Sequence, residues 1–260
     1  MLFQRTIVSG FLLLCLFCAC KKEGDTTSAK RLKKIQWTWG DSTAYSLFNY
    51  DQSGRVTSIT GANNNGGSRE ISIEYDTLDK PVKIITTNYP SNGFADKLAY
   101  SFIYFGDKIV QKDFKYISSG HEFTSFCFYD SRERLVKDSF PNGGSTNFEY
   151  DQNDDVVRVE SYGITGGVRQ VISSLTATYN TQQNMDDIFK GVNFYVLAHV
   201  LYNNDYFLSK HVRVQEVYNP GGTGEVTTNY SYTYENDVLK KITQDYSNSY
   251  INTVTEFFYE

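Results

Sequence analysis

Histidine, cysteine and paired carboxylates are the side chains that most often hold metal ions or move protons. The chain has 3 histidines, His121, His199 and His211, and no two of them share a metal-binding spacing on one strand or helix. No zinc site is expected. His199 lies in an apolar run, where a buried, hydrogen-bonded histidine is the simpler reading. Asp151, Asn153 and Asp155 imitate the opening of a calcium loop, but Val156 stands where that loop needs glycine and Tyr162 where it needs a bidentate glutamate. They read as a polar hairpin turn. The acidic pair Asp186-Asp187 suits general acid–base work only in a pocket that raises one of the two pKa values. The chain contains no nucleophile elbow, phosphate loop or dinucleotide fingerprint. No metal, no cofactor and no catalytic residue is expected, and the chain reads as a non-enzyme.

Of the 4 cysteines, Cys15, Cys18 and Cys20 lie near the N-terminus and only Cys127 lies further on, so no disulfide is expected after processing. Cys127 sits in the strand-like run Thr124 to Tyr129 and reads as a small buried apolar residue. Aromatic residues are the remaining lead, with 21 Tyr, 18 Phe and 2 Trp. Trp37 and Trp39 flank Thr38, so on a strand both point to one face. Two readings of that face stand: burial near the first edge of the sheet, or a platform on which a sugar ring or a partner stacks.

The elements that must position these residues are hairpins. Tyr50-Asp51-Gln52-Ser53-Gly54-Arg55-Val56-Thr57-Ser58-Ile59 is the clearest copy of a unit that recurs at Tyr75-Asp76, Tyr104-Phe105, Tyr129-Asp130, Tyr150-Asp151 and Tyr234-Glu235. Around the turns, apolar residues alternate with polar ones, as in Ile71, Ile73 and Tyr75 against Ser72 and Glu74. That is the pattern of strands with one buried and one wet face. About seven hairpins give roughly fourteen strands. Longer loops, marked by Gly61 to Gly67, Pro90 to Gly93, Pro141 to Gly144 and Pro220 to Gly224, fall at the opposite end of the sheet from the Tyr-Asp turns. Between Thr181 and Leu208 the period changes to helical spacing at Met185, Ile188, Phe189 and Val192, which predicts a short helical insert packed over the sheet. The expected fold is all-β: an antiparallel hairpin meander curled into an open or nearly closed barrel-like sheet, with that one insert.

The N-terminus carries Arg5 and then an apolar run from Ile7 to Phe17, too short to span a bilayer and of the length of a secretory leader. Residues 1–19 are expected to be the leader, 20–34 a flexible tether and 35–260 the β domain. The run ends in Leu16-Phe17-Cys18-Ala19-Cys20, which resembles the lipobox of bacterial lipoproteins, and that resemblance implies lipidation of Cys20. The basic cluster Lys30-Arg31-Leu32-Lys33-Lys34 reads as a solvated tether or a membrane-surface contact. A formal charge of −5 argues against a nucleic-acid partner, which would need clustered cations to neutralise phosphates.

The Tyr50 to Ile59 pattern resembles the tyrosine-aspartate repeat of Rhs-type and teneurin-type β-shell proteins, which wrap many such hairpins into a hollow shell. From about Ile35 to Glu260 the chain also resembles a family of small bacterial lipoproteins of unknown function with a porin-like fold. These resemblances imply the barrel-like architecture and an outer-membrane lipoprotein of a Gram-negative bacterium, facing the periplasm or the cell surface. They imply no catalytic residues. The expected role is a lipid-anchored binding or scaffolding module for a glycan or an envelope protein. A hydrolase acting on an envelope or dietary polymer is the alternative, and an outer-membrane barrel, which needs an unbroken apolar band on its outer face, is a third reading.

Overall fold

The structure is a computed structural model that describes residues 31–90, 95–184, 209–236, 238–248 and 252–260. Strand β1 (Leu32–Trp39) turns at Gly40-Asp41 into β2 (Ser42–Tyr50), and the chain then meanders through β3 (Val56–Asn63), β4 (Ser68–Tyr75), β5 (Pro81–Tyr89) and β6 (Asp96–Phe105). It continues with β7 (Lys108–Tyr116), β8 (Glu122–Tyr129), β9 (Leu135–Ser139), β10 (Ser145–Tyr150), β11 (Val156–Thr165) and β12 (Val168–Asn184). The last strands are β13 (His211–Tyr218), β14 (Val226–Glu235), β15 (Val238–Tyr246) and β16 (Thr253–Tyr259). Each strand pairs antiparallel with the next, and β1 pairs with β16, so the described residues form a closed barrel of 16 strands.

Each Tyr-Asp turn is a small hydrogen-bonded cage. The Asp51 carboxylate accepts the Arg55 backbone N–H at 3.0 Å and its own N–H reaches the Arg55 carbonyl at 2.9 Å. Asp76, Asp130 and Asp151 repeat the side-chain bond to Lys80, Arg134 and Asp155 at 2.9 to 3.0 Å. The residue two positions before the returning strand is left-handed in each of these turns, with φ of 82° at Gly54, 62° at Asp79, 67° at Glu133 and 68° at Asp154. Glycine takes that conformation most cheaply, and Asp tolerates it better than most residues. Each tyrosine then reaches across to the hairpin before it. The hydroxyls of Tyr50, Tyr75, Tyr104, Tyr129, Tyr150 and Tyr179 donate to the carbonyls of Leu32, Val56, Pro81, Ile109, Leu135 and Val156 at 2.6 to 2.9 Å.

Next to each tyrosine the register shifts by one residue, so Asn49 faces Ser58 but Tyr50 faces Val56. The same bulge recurs at Tyr75, Tyr104, Tyr129, Tyr150, Tyr179 and Tyr234. An extra residue returns the strand to the same face after three positions instead of two. Val56 and Ile59 are therefore both buried, as are Leu32 with Ile35 and Leu239 with Ile242. These residues join Ile71, Ile84, Phe102, Ile109 and Phe257 in one apolar cluster drawn from β1 to β8 and β13 to β16. Only the inside of a closed barrel lets strands from so much of its circumference share one cluster, so the inner face is the apolar one. Outward positions such as Glu70, Ser72 and Glu74 are exposed, and Glu74 pairs with Lys83 at 3.0 Å. Among the described residues these charged and polar side chains interrupt exposed apolar ones such as Ile103, Phe126 and Phe128, so the wall they form lacks the unbroken apolar band that the outer-membrane reading requires.

The expected strand count and the expected state of closure are corrected. There are 16 described strands, not about fourteen, and the barrel is closed rather than open or nearly so. One cause explains both: Tyr259 faces Leu32 across another bulge, so β16 and β1 are the two halves of an eighth hairpin whose arms lie at opposite ends of the chain. No turn joins them, so hairpin counting misses the pair. The expected helical insert spans 181–208. Residues 181–184 continue strand β12, no helix occurs among the described residues, and the helical spacing from Met185 onward lies outside them. Strand β1 also starts at Leu32, before the alternation that opens at Ile35, because the bulge at Lys33 hides the period.

Candidate functional site

Alternate turns lie at opposite ends of the barrel, so the molecule has a Tyr-Asp rim and a loop rim. At the loop rim the first six strands and β15 surround a cavity of about 770 Å³. Trp37 and Trp39 line it together with Asn63, Arg69, Asn88, Asp96, Gln244 and Tyr246. Register explains why these side chains converge. Ile35, which is buried, pairs with Phe257, so Trp37 and Trp39 also point inward, opposite Thr255 and Thr253. On the neighbouring strands Ile59 pairs with Ile71, which places Gly61 and Arg69 on the inner face one step nearer the rim. Arg69 pairs with Asn88 and Asn88 with Asp96, which continues that row.

The two tryptophans differ in depth. Trp39 is 39% exposed at the mouth, whereas Trp37 is partly buried and packs on the apolar cluster. The structure thus brings both predicted residues to one cavity, and β1 is not an edge, since it pairs with β2 and β16. Gly61 keeps part of the wall thin: a Cβ there would stand 2.6 Å from the Tyr45 carbonyl oxygen and 3.1 Å from the Ser46 hydroxyl. The Ser46 hydroxyl is buried in that wall with no hydrogen-bond partner among the described residues. Asn63, Arg69, Asn88 and Asp96 were missed in the sequence because strand register, not local spacing, sets them beside the tryptophans. The pocket has the make-up of a small-molecule site, with aromatic faces and a few convergent polar groups.

The other candidates have structural explanations. Cys127 is inward and buried, and burial pushes its thiol up to about 11, away from the thiolate a nucleophile needs. Asp151 is occupied by the N–H groups of Asn153 and Asp155 at 2.8 and 3.0 Å. No group of three or more His, Cys, Asp or Glu placed to hold a metal ion occurs among the described residues. His121 is exposed in the β7–β8 turn, while His199 and Asp186-Asp187 lie outside the described residues.

His211 is buried, and its Nδ1 sits 2.8 Å from the Asp155 carboxylate, whose other oxygen accepts the His211 backbone N–H at 2.8 Å. Asp155 takes the place in its repeat that Arg55, Lys80 and Arg134 hold in theirs. Those cations lie over the rings of Tyr75, Tyr104 and Tyr150, whereas Tyr179 is covered by Arg213 at 5.9 Å. Ser209 donates to the Tyr179 hydroxyl at 2.8 Å and accepts the Val156 N–H at 3.0 Å. These bonds fasten the start of β13 to the start of β11.

No protein-family model matches the chain. Over 153 residues, 49% of this chain, it is 26% identical to Teneurin-m of Drosophila melanogaster, of whose length it spans 5%. In three dimensions it is similar to a porin-like protein from Bacteroides uniformis, with a TM-score of 0.51 and 14% identity over 88% of this chain and 96% of that one. A porin-like protein from Bacteroides vulgatus gives 0.46 at 15% identity, covering 88% and 98%. At these identities the likeness concerns the fold, which is a porin-like β-barrel.

Proposed function

We propose that the protein is a lipid-anchored cell-envelope binding module that takes a glycan into the loop-rim cavity. One observation carries this reading: Trp37 and Trp39 share a cavity with Asn63, Arg69, Asn88, Asp96 and Gln244. Indole faces stack on the apolar faces of sugar rings, and amide, carboxylate and guanidinium groups bond the hydroxyls at their edges. Binding is favoured over hydrolysis because Asp96 is the one carboxylate in the lining among the described residues, and acid–base cleavage of a glycosidic bond takes two. The envelope setting is supported by the leader-like run before Cys20. The fold's likeness to porin-like proteins of Bacteroides supports the same setting, that of a Gram-negative outer-membrane lipoprotein.

A thermal-shift screen of the leader-free protein against oligosaccharides tests the reading, since a ligand at one hundred times its Kd adds about 2.7 kcal/mol to the folded state. We expect a shift with one glycan class, removed by Trp39→Ala and by Trp37→Ala. No shift with any glycan moves the role to an envelope protein partner. The anchor has its own test: Cys20→Ala is expected to leave the membrane fraction and stay folded, and persistent membrane association would overturn lipidation.

A further inference from the structure

We propose that the Tyr-Asp rim rests on a lipid surface, with Leu78 and Phe105 as its apolar tips, so that the cavity opens away from the membrane. Leu78 is 71% exposed and Phe105 79%, the highest values for large apolar side chains among the described residues. Both belong to Tyr-Asp-type turns, Leu78 between β4 and β5 and Phe105 at the end of β6. Because β5 pairs with β6, these turns are neighbours. The Lys80 ammonium of the first turn holds Asp107 of the second at 2.8 Å, and Leu78 is fixed by its N–H bond to Asp76 at 2.8 Å. The two apolar tips are thus presented side by side on a pre-formed support.

The path of the chain selects a bilayer as the occupant. The polypeptide enters the barrel on this same rim, where Arg31 and Glu260 exchange backbone bonds at 3.1 and 2.9 Å. This placement on a membrane rests on lipidation of Cys20. From Cys20 to Arg31 the chain reaches roughly 40 Å at most. Strands of this length make the wall about 25–30 Å tall, so seating the loop rim on the membrane would use most of the tether along the wall. Seating the Tyr-Asp rim uses little of it and buries both tips. The cations beside the tips are already paired, Lys80 with Asp107 and Lys108 with Glu133 at 2.7 Å, so the contact is apolar and independent of lipid charge.

The test places a single tryptophan at each rim of the lipidated protein in phosphatidylcholine vesicles with brominated acyl chains. The background is Trp37→Phe with Trp39→Phe, and the reporters are Phe105→Trp and Val168→Trp, the latter at the loop rim. Emission from position 105 is expected to shift to the blue and fall at least twofold, while position 168 stays unquenched. Quenching at 168 instead, or at neither position, overturns the proposal. The mass of the N-terminal peptide reports the anchor separately. If Cys20 proves unmodified, cosedimentation of the unlipidated protein with the same vesicles decides: a bound fraction lowered about tenfold by Leu78→Ser with Phe105→Ser supports the rim contact, and no binding by the parent protein overturns it.

Discussion

At the Tyr-Asp rim consecutive turns are chained together: Arg55 to Asp79, Lys80 to Asp107, Lys108 to Glu133 and Arg134 to Asp154 all lie within 2.5 to 2.9 Å. At the loop rim the connections vary, from Gly40-Asp41 between β1 and β2 to Asn219 through Glu225 between β13 and β14. The same strands run between both ends, so the difference lies along each strand rather than between strands. It arises from the side chains placed inward at each level, tyrosines and aliphatics below, tryptophans and polar groups above. A repeat that closes the barrel at one rim leaves the other free to vary, and binding surfaces belong on loops held by a rigid scaffold.

The largest effect should separate the two rims. Leu239 is fully buried beside the Tyr-Asp rim, and Leu239→Ala should cost about 2–5 kcal/mol of stability, read from the denaturant midpoint, with glycan affinity of the folded fraction unchanged. Trp39→Ala at the loop rim should cost less than about 1 kcal/mol and abolish the glycan shift. If Trp39→Ala proves the more destabilising of the two, the division of labour is wrong.

The tyrosines sharpen the comparison through pH. Burial raises Tyr50, Tyr75 and Tyr259 to about 12, with Glu260 adding to the effect at Tyr50 and Tyr50 adding to it at Tyr259. The fold holds these hydroxyls neutral, while in the unfolded chain they ionise near pH 10. Their contribution is therefore complete below about pH 10 and is lost as pH rises toward 12, because the unfolded state gives up protons that the folded state keeps. Thermal midpoints should be flat from pH 8 to about 10 and fall beyond it. Tyr75→Phe should flatten part of that fall and, at neutral pH, cost about 0.5–1.5 kcal/mol for the 2.8 Å bond to the Val56 carbonyl. An unchanged alkaline slope in Tyr75→Phe would remove this tyrosine from the account.

Local chemistry made the Tyr-Asp rim legible in the sequence, since Asp, the left-handed fourth residue and the tyrosine lie within a few positions of one another. Trp37 and Trp39 were legible for the same reason: residues two apart on a strand share a face. Arg69, Asn88 and Asp96 were not, because their meeting with Trp37 depends on register carried across β2, β3, β4, β5 and β6, which no short window of sequence contains. Closure was hidden in the same way. Its hairpin is split between Leu32 and Tyr259, the most distant pair of described strands in the chain.

The split hairpin yields the smallest expected effect. Tyr259 faces Leu32 across the bulge found at the other repeats, and Lys240 lies 5.6 Å from the Tyr259 ring as Arg55 does 5.0 Å from that of Tyr75. If β16 and β1 are one repeat, the ordinary turn should fit between them. A permuted chain that joins Glu260 to Arg31 through a short Asp- and Gly-containing turn, and opens in the Gly221-Gly222 loop, should fold to the same barrel with a thermal midpoint within a few degrees of the parent. Rejoining costs little because both ends already lie within backbone hydrogen-bonding distance, and the new termini fall in an exposed loop, where breaks are best tolerated. A permutant that fails to fold would mean that the free ends at this rim are required and that the eighth hairpin is not equivalent to the other seven.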